Sequence, residues 1–100
     1  MRIDSFIWLS AIIDKLDMKH QVEPEEVEEA LRNRPKFRFV EKGDRPGEDV
    51  YMALSQTEAG RYLTTLFIYK PVSEDQKTAQ ALILSARDMV DKERKMYGRK

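Results

Sequence analysis

The spacing of apolar residues changes from a helical period to a period of two near Pro35, and this change constrains the fold more than any other feature of the chain. Upstream of it, Leu9, Ile12, Ile13 and Leu16 fall on one helical stripe, which predicts a first helix over 8–19. Pro24 is suited to the first position of a second helix, and Pro35 is expected to end that helix.

Downstream of Pro35 the pattern predicts four strands, over 36–42, 48–56, 61–70 and 81–86. Phe37 and Phe39 are expected on one side of the first strand. Residues 71–80 are predicted to form a polar loop, and the apolar run 81–86 lacks alternation, which indicates a strand covered on both faces. Residues 2–7 are expected to be a short strand or an extended arm.

A last helix is expected after Asp88, which is predicted to cap it, and to run to about Tyr97. The order of elements predicts one α+β domain over residues 1–100, with two N-terminal helices, a four-stranded antiparallel sheet and a C-terminal helix.

Composition excludes several classes of function. The sequence has no cysteine, which rules out disulfides, thiolate metal sites and cysteine nucleophiles. It has no phosphate-binding glycine loop, no nucleophile elbow and no spacing typical of metal ligands, so neither a cofactor nor a metal is expected. A 36% charged content and the lack of a long apolar run predict a cytoplasmic protein that does not enter a membrane.

Two segments are locally basic although the formal net charge is zero. The segment 32–42 carries five basic residues against Glu41, and the tail 87–100 is also basic. In the first segment, Lys36 and Arg38 could contact phosphates, or they could be the charges that protect the solvent side of an edge strand from aggregation. The two interpretations have equal support from the sequence.

Glu93 lies in the middle of the apolar arc of the last helix. A buried carboxylate needs a cationic partner, and Arg87 and Arg61 are the candidates. The pair could simply hold the helix to the sheet, or Glu93 could be an acid–base or orienting group in a cleft.

His20 is the single histidine, and a lone histidine on an apolar face is more often a core or capping residue than a catalyst. The glutamates of residues 25–29 resemble paired carboxylates, but their placement on a helix favours a solvated face.

Several segments, in order, resemble the BrnT family of toxins. Lys19-His20-Gln21-Val22, followed by Glu25-Glu26-Val27, is similar to the family pattern Lys-His-Gly-Val-x-x-Glu-Glu-Ala, with glutamine in place of glycine. Ile83-Leu84-Ser85-Ala86-Arg87, then Glu93-Arg94 and Tyr97, is similar to the family's Ile-Ser-Ala-Arg, Glu-Arg and Tyr. Trp8, Glu48-Asp49 and Gly60-Arg61-Tyr62-Leu63 are also similar to segments of the family, so the similarity covers nearly the whole chain.

The resemblance implies a RelE-like fold and a metal-independent endoribonuclease from a bacterial type II toxin–antitoxin pair, able to inhibit growth. It implies a ribbon–helix–helix antitoxin as partner and contact with operator DNA only through that antitoxin; a homodimer is also possible. Cleavage would proceed by attack of a ribose 2′-hydroxyl on the adjacent phosphate, which needs a base, a cation and an acid.

Candidate residues follow from that chemistry. The candidates for phosphate binding and proton transfer are Arg61, Arg87, Glu93, His20 and Lys19. The candidates for RNA binding are Tyr97, Arg94, Arg38 and Lys36. The alternative is a non-catalytic interaction module of the same fold that binds a ribbon–helix–helix partner. The endoribonuclease and the interaction module differ in whether the catalytic candidates converge on an open cleft.

Overall fold

The structure, a computed structural model, describes residues 2–72 and 78–98. It is an α+β protein in which a five-stranded sheet carries helices on both faces. The elements in chain order are β1 (Ser5–Ile7), α1 (Ser10–Lys15), a π-helical turn (Leu16–His20), α2 (Pro24–Leu31), β2 (Lys36–Glu41), β3 (Val50–Gln56), β4 (Tyr62–Pro71), β5 (Ala79–Asp88) and α3 (Asp91–Gly98).

The strand order is β1-β5-β4-β3-β2. The strands β2 to β5 form the antiparallel meander expected from the sequence, whereas β1 pairs with β5 in parallel. The expected four-stranded antiparallel sheet is therefore wrong: the sheet is mixed and has five strands. Phe6 lies beside Ala81 at the added edge, a pairing that short-range sequence patterns cannot reveal.

The core lies between one face of the sheet and the layer formed by α1, the π-helical turn and α2. Its centre is Phe67, with Leu16 and Val27 from the helical layer, all fully buried. Phe37 packs edge-on against Phe67 at 5.9 Å between ring centroids, and Phe39 lies on the same face but is 54% exposed at the sheet edge. The expectation that the two phenylalanines share a side is confirmed.

The first helix differs from its predicted form. It is α-helical only from Ser10, because the carbonyl of Leu9 accepts the first helical hydrogen bonds from Ile12 and Ile13. Leu9 is 49% exposed and so is not part of a buried stripe. After Lys15 the chain continues as a π-helical turn and ends at Gln21, which has a left-handed backbone with φ of 53°.

The second helix ends at Leu31, a few residues before Pro35. Arg34 has a left-handed backbone with φ of 52°, so the chain has already turned away from the helix before the proline. At the helix start, the backbone N–H of Glu23 donates to the Glu26 carboxylate over 3.1 Å, which satisfies a donor that the helix itself cannot pair.

Strand β5 is longer than predicted and alternates between buried and partly exposed residues. It is therefore covered fully on one face only, which corrects the expectation of a strand buried on both faces. The loop expected over 71–80 is also shorter, since β4 includes Pro71 and β5 begins at Ala79; residues 73–77 lie outside the described part of the chain.

Asp88 is the last residue of β5 and does not cap the final helix. Instead, Val90 occupies the position before α3: its carbonyl accepts from Arg94, and its N–H donates to the Glu93 carboxylate over 3.0 Å. Glu93 thus supplies the capping interaction that was expected from Asp88. Within the described residues no helix is both long and apolar enough to cross a bilayer.

Candidate functional site

Arg61 binds four groups from three different parts of the fold. Its Nε and Nη2 donate to the two oxygens of Asp88 over 2.7 and 3.3 Å, and its Nη1 donates to the Glu26 carboxylate over 3.1 Å. The same guanidinium donates to the backbone carbonyls of His20 and Gln21 over 3.0 and 2.9 Å. The sheet, α2 and the end of the π-helical turn therefore meet at this one side chain.

These contacts leave Arg61 little capacity for a ligand. A guanidinium has five N–H donors, and each one here faces a protein acceptor. The Asp88 carboxylate raises the pKa of Arg61, and Arg61 in turn lowers the pKa of Asp88. Arg61 would have to give up protein contacts to bind a phosphate, so its role in the described structure is to hold elements together.

Glu93 is buried, with 9% of its surface exposed, and it is paired with Arg87. Two parallel hydrogen bonds of 2.7 and 2.8 Å join the guanidinium to the carboxylate. The Thr64 hydroxyl and the Val90 N–H donate to the same carboxylate over 2.9 and 3.0 Å. The expectation of a cationic partner is confirmed, and the partner is Arg87 rather than Arg61.

The surroundings of Glu93 stabilise its charged form. Hydrogen bonds from Arg87, with smaller contributions from Val90 and Thr64, lower the pKa of Glu93 to about 2, although burial opposes the shift. A carboxylate with such a pKa is a very weak base at neutral pH. The geometry therefore supports a structural or orienting role for Glu93 and not the role of a proton acceptor.

A pocket of about 340 Å³ lies beside α3 and is lined by aromatic and basic residues. The lining residues are Gln56, Tyr62, Arg94, Lys95, Tyr97 and Gly98. We call this the tyrosine pocket, because the rings of Tyr62 and Tyr97 meet edge to face within it at 6.1 Å between centroids.

Two cations lie over the tyrosine rings. The guanidinium carbon of Arg94 is 4.3 Å from the centre of the Tyr62 ring, and the Lys36 ammonium is 5.8 Å from the centre of the Tyr97 ring. The Tyr97 hydroxyl donates to the carbonyl of Arg34 over 3.4 Å, which orients the ring. Aromatic rings beside cations are the groups that single-stranded nucleic acids use for base stacking and phosphate contact.

The structure brings together some of the predicted site residues and separates others. Three of the predicted RNA-binding residues, Tyr97, Arg94 and Lys36, meet at the tyrosine pocket, while Arg38 is exposed farther along β2. The predicted catalytic residues do not line it.

His20 and Lys19 lie at the end of the π-helical turn, on the side of the sheet opposite α3. Lys19 is exposed and His20 is partly buried. His20 is near enough to Asp88 to lower the pKa of that carboxyl, but neither residue is part of the pocket lining. Arg61 and Arg87 both donate to Asp88, the first to its carboxylate and the second to its carbonyl, so these two candidates and His20 lie near Asp88 and away from the lining of the tyrosine pocket.

Sequence reasoning missed Tyr62 and Asp88. Tyr62 directly follows Arg61 and starts β4, and its importance depends on α3 folding back across the sheet. The sequence predicts a helix cap at Asp88 because aspartate is common there, but β5 extends to Asp88 and directs it towards Arg61. Both errors concern contacts between residues distant in sequence.

A second concave region is acidic. It measures about 400 Å³ and is lined by Glu25, Glu28, Glu29, Arg32, Asn33 and Glu58. Its glutamates would repel a phosphate backbone, so it does not compete with the tyrosine pocket as an RNA site. Among the described residues there is also no group of three or more His, Asp or Glu side chains arranged to hold a metal ion.

No protein-family model and no curated protein matches this sequence.

Proposed function

We propose that this protein binds single-stranded RNA at the tyrosine pocket and acts as a BrnT-like endoribonuclease toxin. The observation that supports RNA binding is the pocket itself, in which Tyr62 and Tyr97 lie beside Arg94, Lys36 and Lys95. The RelE-like fold and the cleavage reaction are proposed from the resemblance of the sequence to BrnT toxins.

In this proposal an unpaired base stacks against the tyrosines and the cations neutralise phosphates. Every base has a π face, so stacking tolerates many sequences, and each stacked base contributes about 1–3 kcal/mol. Lys36 lies over the Tyr97 ring and Arg94 over the Tyr62 ring, so both cations are close enough to the rings to contact phosphates next to a stacked base. A single-stranded segment fits this arrangement better than a duplex, whose bases are already stacked on each other.

Cleavage would follow from attack of the 2′-oxygen on the adjacent phosphorus. The bond from phosphorus to the 5′-oxygen breaks, which leaves a 2′,3′-cyclic phosphate and a 5′-hydroxyl. Tyr97 and Lys95 in the pocket lining, and Lys36 over the Tyr97 ring, are groups able to move a proton, and Arg94 is able to stabilise the developing charge. In this assignment Glu93 and Arg61 are positioning residues, because both are occupied by protein contacts.

The proposal includes a partner and a compartment. A ribbon–helix–helix antitoxin would neutralise the toxin and would carry the contact with operator DNA, and both proteins would act in the bacterial cytoplasm.

The second candidate is a non-catalytic interaction module of the same fold. It is favoured by one observation: Arg61, Arg87 and Glu93, the central catalytic candidates, are all held in ion pairs. Such a protein would still bind RNA or an antitoxin but would not cleave.

The experiment measures binding and cleavage separately. A fluorescently labelled single-stranded RNA is titrated with the wild type, Tyr97→Ala and Tyr97→Phe. The alanine variant should bind about tenfold more weakly or worse, while the phenylalanine variant keeps the ring and should bind nearly as well as the wild type. Absence of RNA binding by the wild type would contradict the proposal.

Cleavage is assayed on the same RNA in the presence of EDTA. Products with 2′,3′-cyclic phosphate ends, lost in Tyr97→Ala, are expected for the toxin. Binding by a folded protein without cleavage, on both free RNA and translating ribosomes, would instead select the non-catalytic module.

A further inference from the structure

We propose that the outer edge of β2 pairs with β2 of a second copy of this chain, in an antiparallel arrangement with Phe39 at the two-fold axis. The two five-stranded sheets would then join into one continuous sheet. The residues that carry this inference, Arg38, Phe39 and Glu41, do not line the tyrosine pocket, and the inference does not depend on RNA binding.

Strand β2 lies at one edge of the sheet and pairs with β3 alone. In an antiparallel ladder the N–H and C=O groups of successive residues point alternately to the two sides of a strand, so half of those on β2 point away from the sheet. Every residue of β2 except Phe37 is exposed. The edge is therefore accessible to the backbone of a further strand, and the opposite edge, β1, is only three residues long.

The edge of β2 combines exposed apolar side chains with charges of both signs. Phe39 is 54% exposed and Val40 is 46% exposed, although Phe39 also packs edge-on against Tyr51. Arg38 and Glu41 are exposed on either side of them. Positive charges alone would protect an edge from pairing, because a strand of like charge is repelled. The presence of Glu41 allows this edge to accept a strand that carries the opposite charges in the right places.

A β-bulge determines which face of β2 each charge occupies. Phe39 and Glu41 pair with successive residues of β3, so two steps along β2 correspond to one step along β3. Val40 is therefore the extra residue of the bulge. Because of it, Glu41 lies on the same face of the sheet as Arg38, whereas a regular strand would place it on the face of Phe39.

Charge then selects the register of a symmetric pair. Opposed residues of antiparallel strands lie on the same face, so a two-fold axis passes between one residue and its own copy. An axis at Phe37 opposes Lys36 with Arg38, and an axis at Arg38 opposes the two arginines, so both registers bring like charges together. An axis at Phe39 instead opposes Arg38 of each copy with Glu41 of the other and brings the two Phe39 rings side by side.

A second copy is the occupant that this edge fits, because its own β2 supplies the unlike charge at both positions and the aromatic ring between them. The two-fold axis is normal to the joined sheet, so the tyrosine pockets of both copies would lie on the same side of it. A strand edge is a small interface, and the dimer is therefore expected to be weak, with a Kd of about 0.1 mM.

The test is sedimentation equilibrium of the full-length protein and two charge reversals. Arg38→Glu brings glutamates of the two copies opposite each other, and Glu41→Arg does the same with arginines. Each variant alone should associate at least about tenfold more weakly than the wild type. Both side chains are exposed, so neither change should disturb the fold, and circular dichroism verifies this.

An equimolar mixture of the two variants tests the register itself. In a mixed pair each glutamate of the Arg38→Glu chain faces an arginine of the Glu41→Arg chain, so unlike charges are again opposed. The mixture should associate at least as tightly as the wild type, although neither variant does so alone. Lys15→Glu and Asp14→Arg, exposed charge reversals on α1, are the matched controls. Alone or mixed, they should associate as the wild type does.

Three outcomes would overturn the inference. They are a wild type that stays monomeric at about 1 mM, single variants that associate as tightly as the wild type, and a mixture of Arg38→Glu and Glu41→Arg that associates no more tightly than either variant alone. The last result would exclude the register centred on Phe39 even if the wild type dimerises.

Discussion

The Arg87 guanidinium and the Glu93 carboxylate form two parallel hydrogen bonds of 2.7 and 2.8 Å that join the end of β5 to the first turn of α3. The carboxylate is 11% exposed, whereas the arginine side chain is 40% exposed. Glu93 also accepts from the N–H before the helix, so a single side chain caps α3 and attaches it to the sheet. The pair thereby fixes the wall on which Tyr97 and Arg94 are presented.

Replacing Glu93 by glutamine should lower the free energy of unfolding at neutral pH by about 2 kcal/mol, because the Arg87 charge loses its partner while a neutral amide fills the space. Loss of the Glu93 carboxylate should also change how the free energy of unfolding depends on pH. The pKa of Glu93 in the folded protein, about 2, is below the ordinary value of 4.5, so the stability from Glu93 is present above pH 4.5 and disappears as pH falls towards 2.

Urea unfolding of the wild type and Glu93→Gln, measured between pH 7 and pH 2, tests this statement. The wild type should lose more stability than the variant between pH 4.5 and pH 2. Asp88 contributes a fall of the same sign to both proteins, because Arg61 lowers its pKa. Parallel curves for the two proteins would show that Glu93 is not a charged partner of Arg87.

Arg61→Lys should destabilise the protein by about 2 kcal/mol or more, although it keeps the positive charge. A lysine has one ammonium group and cannot bind Asp88 through two bonds while it also reaches Glu26 and the carbonyl of His20. Chemical denaturation gives the magnitude, and Arg2→Lys at a 77% exposed side chain is the matched control. Equal stability of the two variants would show that the charge of Arg61 suffices without its geometry.

The local patterns of the sequence predicted much of the sheet. Alternation placed Phe37 and Phe39 on one side of β2, and the structure confirms this. Alternation predicts the faces of a strand because successive side chains point to opposite faces, and the two faces differ in burial. The pattern can therefore be recognised from residues that are neighbours in sequence. The identity of Glu93 as a paired carboxylate was also predictable, since an isolated charge in an apolar arc requires a partner.

Long-range contacts limited the rest of the prediction. The parallel pairing of Phe6 with Ala81 joins residues far apart in sequence, and nothing in the short apolar segment near the N-terminus specifies it. The meeting of Tyr62 with Tyr97 likewise depends on how α3 crosses the sheet. These features follow from three-dimensional packing and not from the period of the sequence, so the tyrosine pocket could be predicted only in part.

Gln21→Gly should stabilise the protein by about 1 kcal/mol. Gln21 ends the π-helical turn with φ of 53° and ψ of 43°, a left-handed conformation that is unfavourable for a residue with a Cβ atom and accessible to glycine. The sequence pattern of BrnT toxins has glycine at this position, so the backbone geometry is compatible with that pattern despite the glutamine. Thermal unfolding should show a rise of a few degrees for a domain of this size.

Gln21→Ala is the control, because it removes the glutamine side chain and keeps the Cβ atom. Its stability should stay close to that of the wild type. A glycine variant less stable than the alanine variant would mean that flexibility in the unfolded chain outweighs relief of the left-handed backbone.

Thr65→Val should stabilise the protein by about 1 kcal/mol. The Thr65 hydroxyl is fully buried and has no hydrogen-bond partner within the described part of the chain, so its desolvation is not offset. Valine has the same shape without the polar atom. Thr57→Val is the matched control with the opposite sign, because the Thr57 hydroxyl accepts from the Arg61 N–H over 3.0 Å and its loss should cost about 1 kcal/mol.

Denaturant unfolding of Thr65→Val and Thr57→Val tests whether the Thr65 hydroxyl lacks a hydrogen-bond partner. Destabilisation by Thr65→Val comparable to that of Thr57→Val would show that the Thr65 hydroxyl is paired in solution, for example with a buried water. The Ser55 hydroxyl on the neighbouring strand is also buried without a hydrogen-bond partner within the described part of the chain. Stability of Ser55→Ala therefore tests the same argument at a second position.

The affinity for single-stranded RNA should depend strongly on salt, and Lys36 should account for part of that dependence. Each phosphate neutralised on a single strand contributes a slope of about −0.7 to the logarithm of the binding constant against the logarithm of salt concentration. Lys36 lies over the Tyr97 ring at the pocket, so Lys36→Gln should make the slope shallower by about 0.7. Lys15→Gln, an exposed lysine at the end of α1, should leave the slope unchanged.

Binding constants for the wild type, Lys36→Gln, Lys15→Gln and Tyr97→Ala, each measured at several salt concentrations on one short RNA, separate charge from stacking. Tyr97→Ala should weaken binding by a similar factor at every salt concentration, because stacking involves no release of counterions. A slope that changes with Tyr97→Ala but not with Lys36→Gln would move the phosphate contacts away from the tyrosine pocket. If Lys15→Gln also made the slope shallower, the RNA would be bound by general surface charge rather than at a defined site.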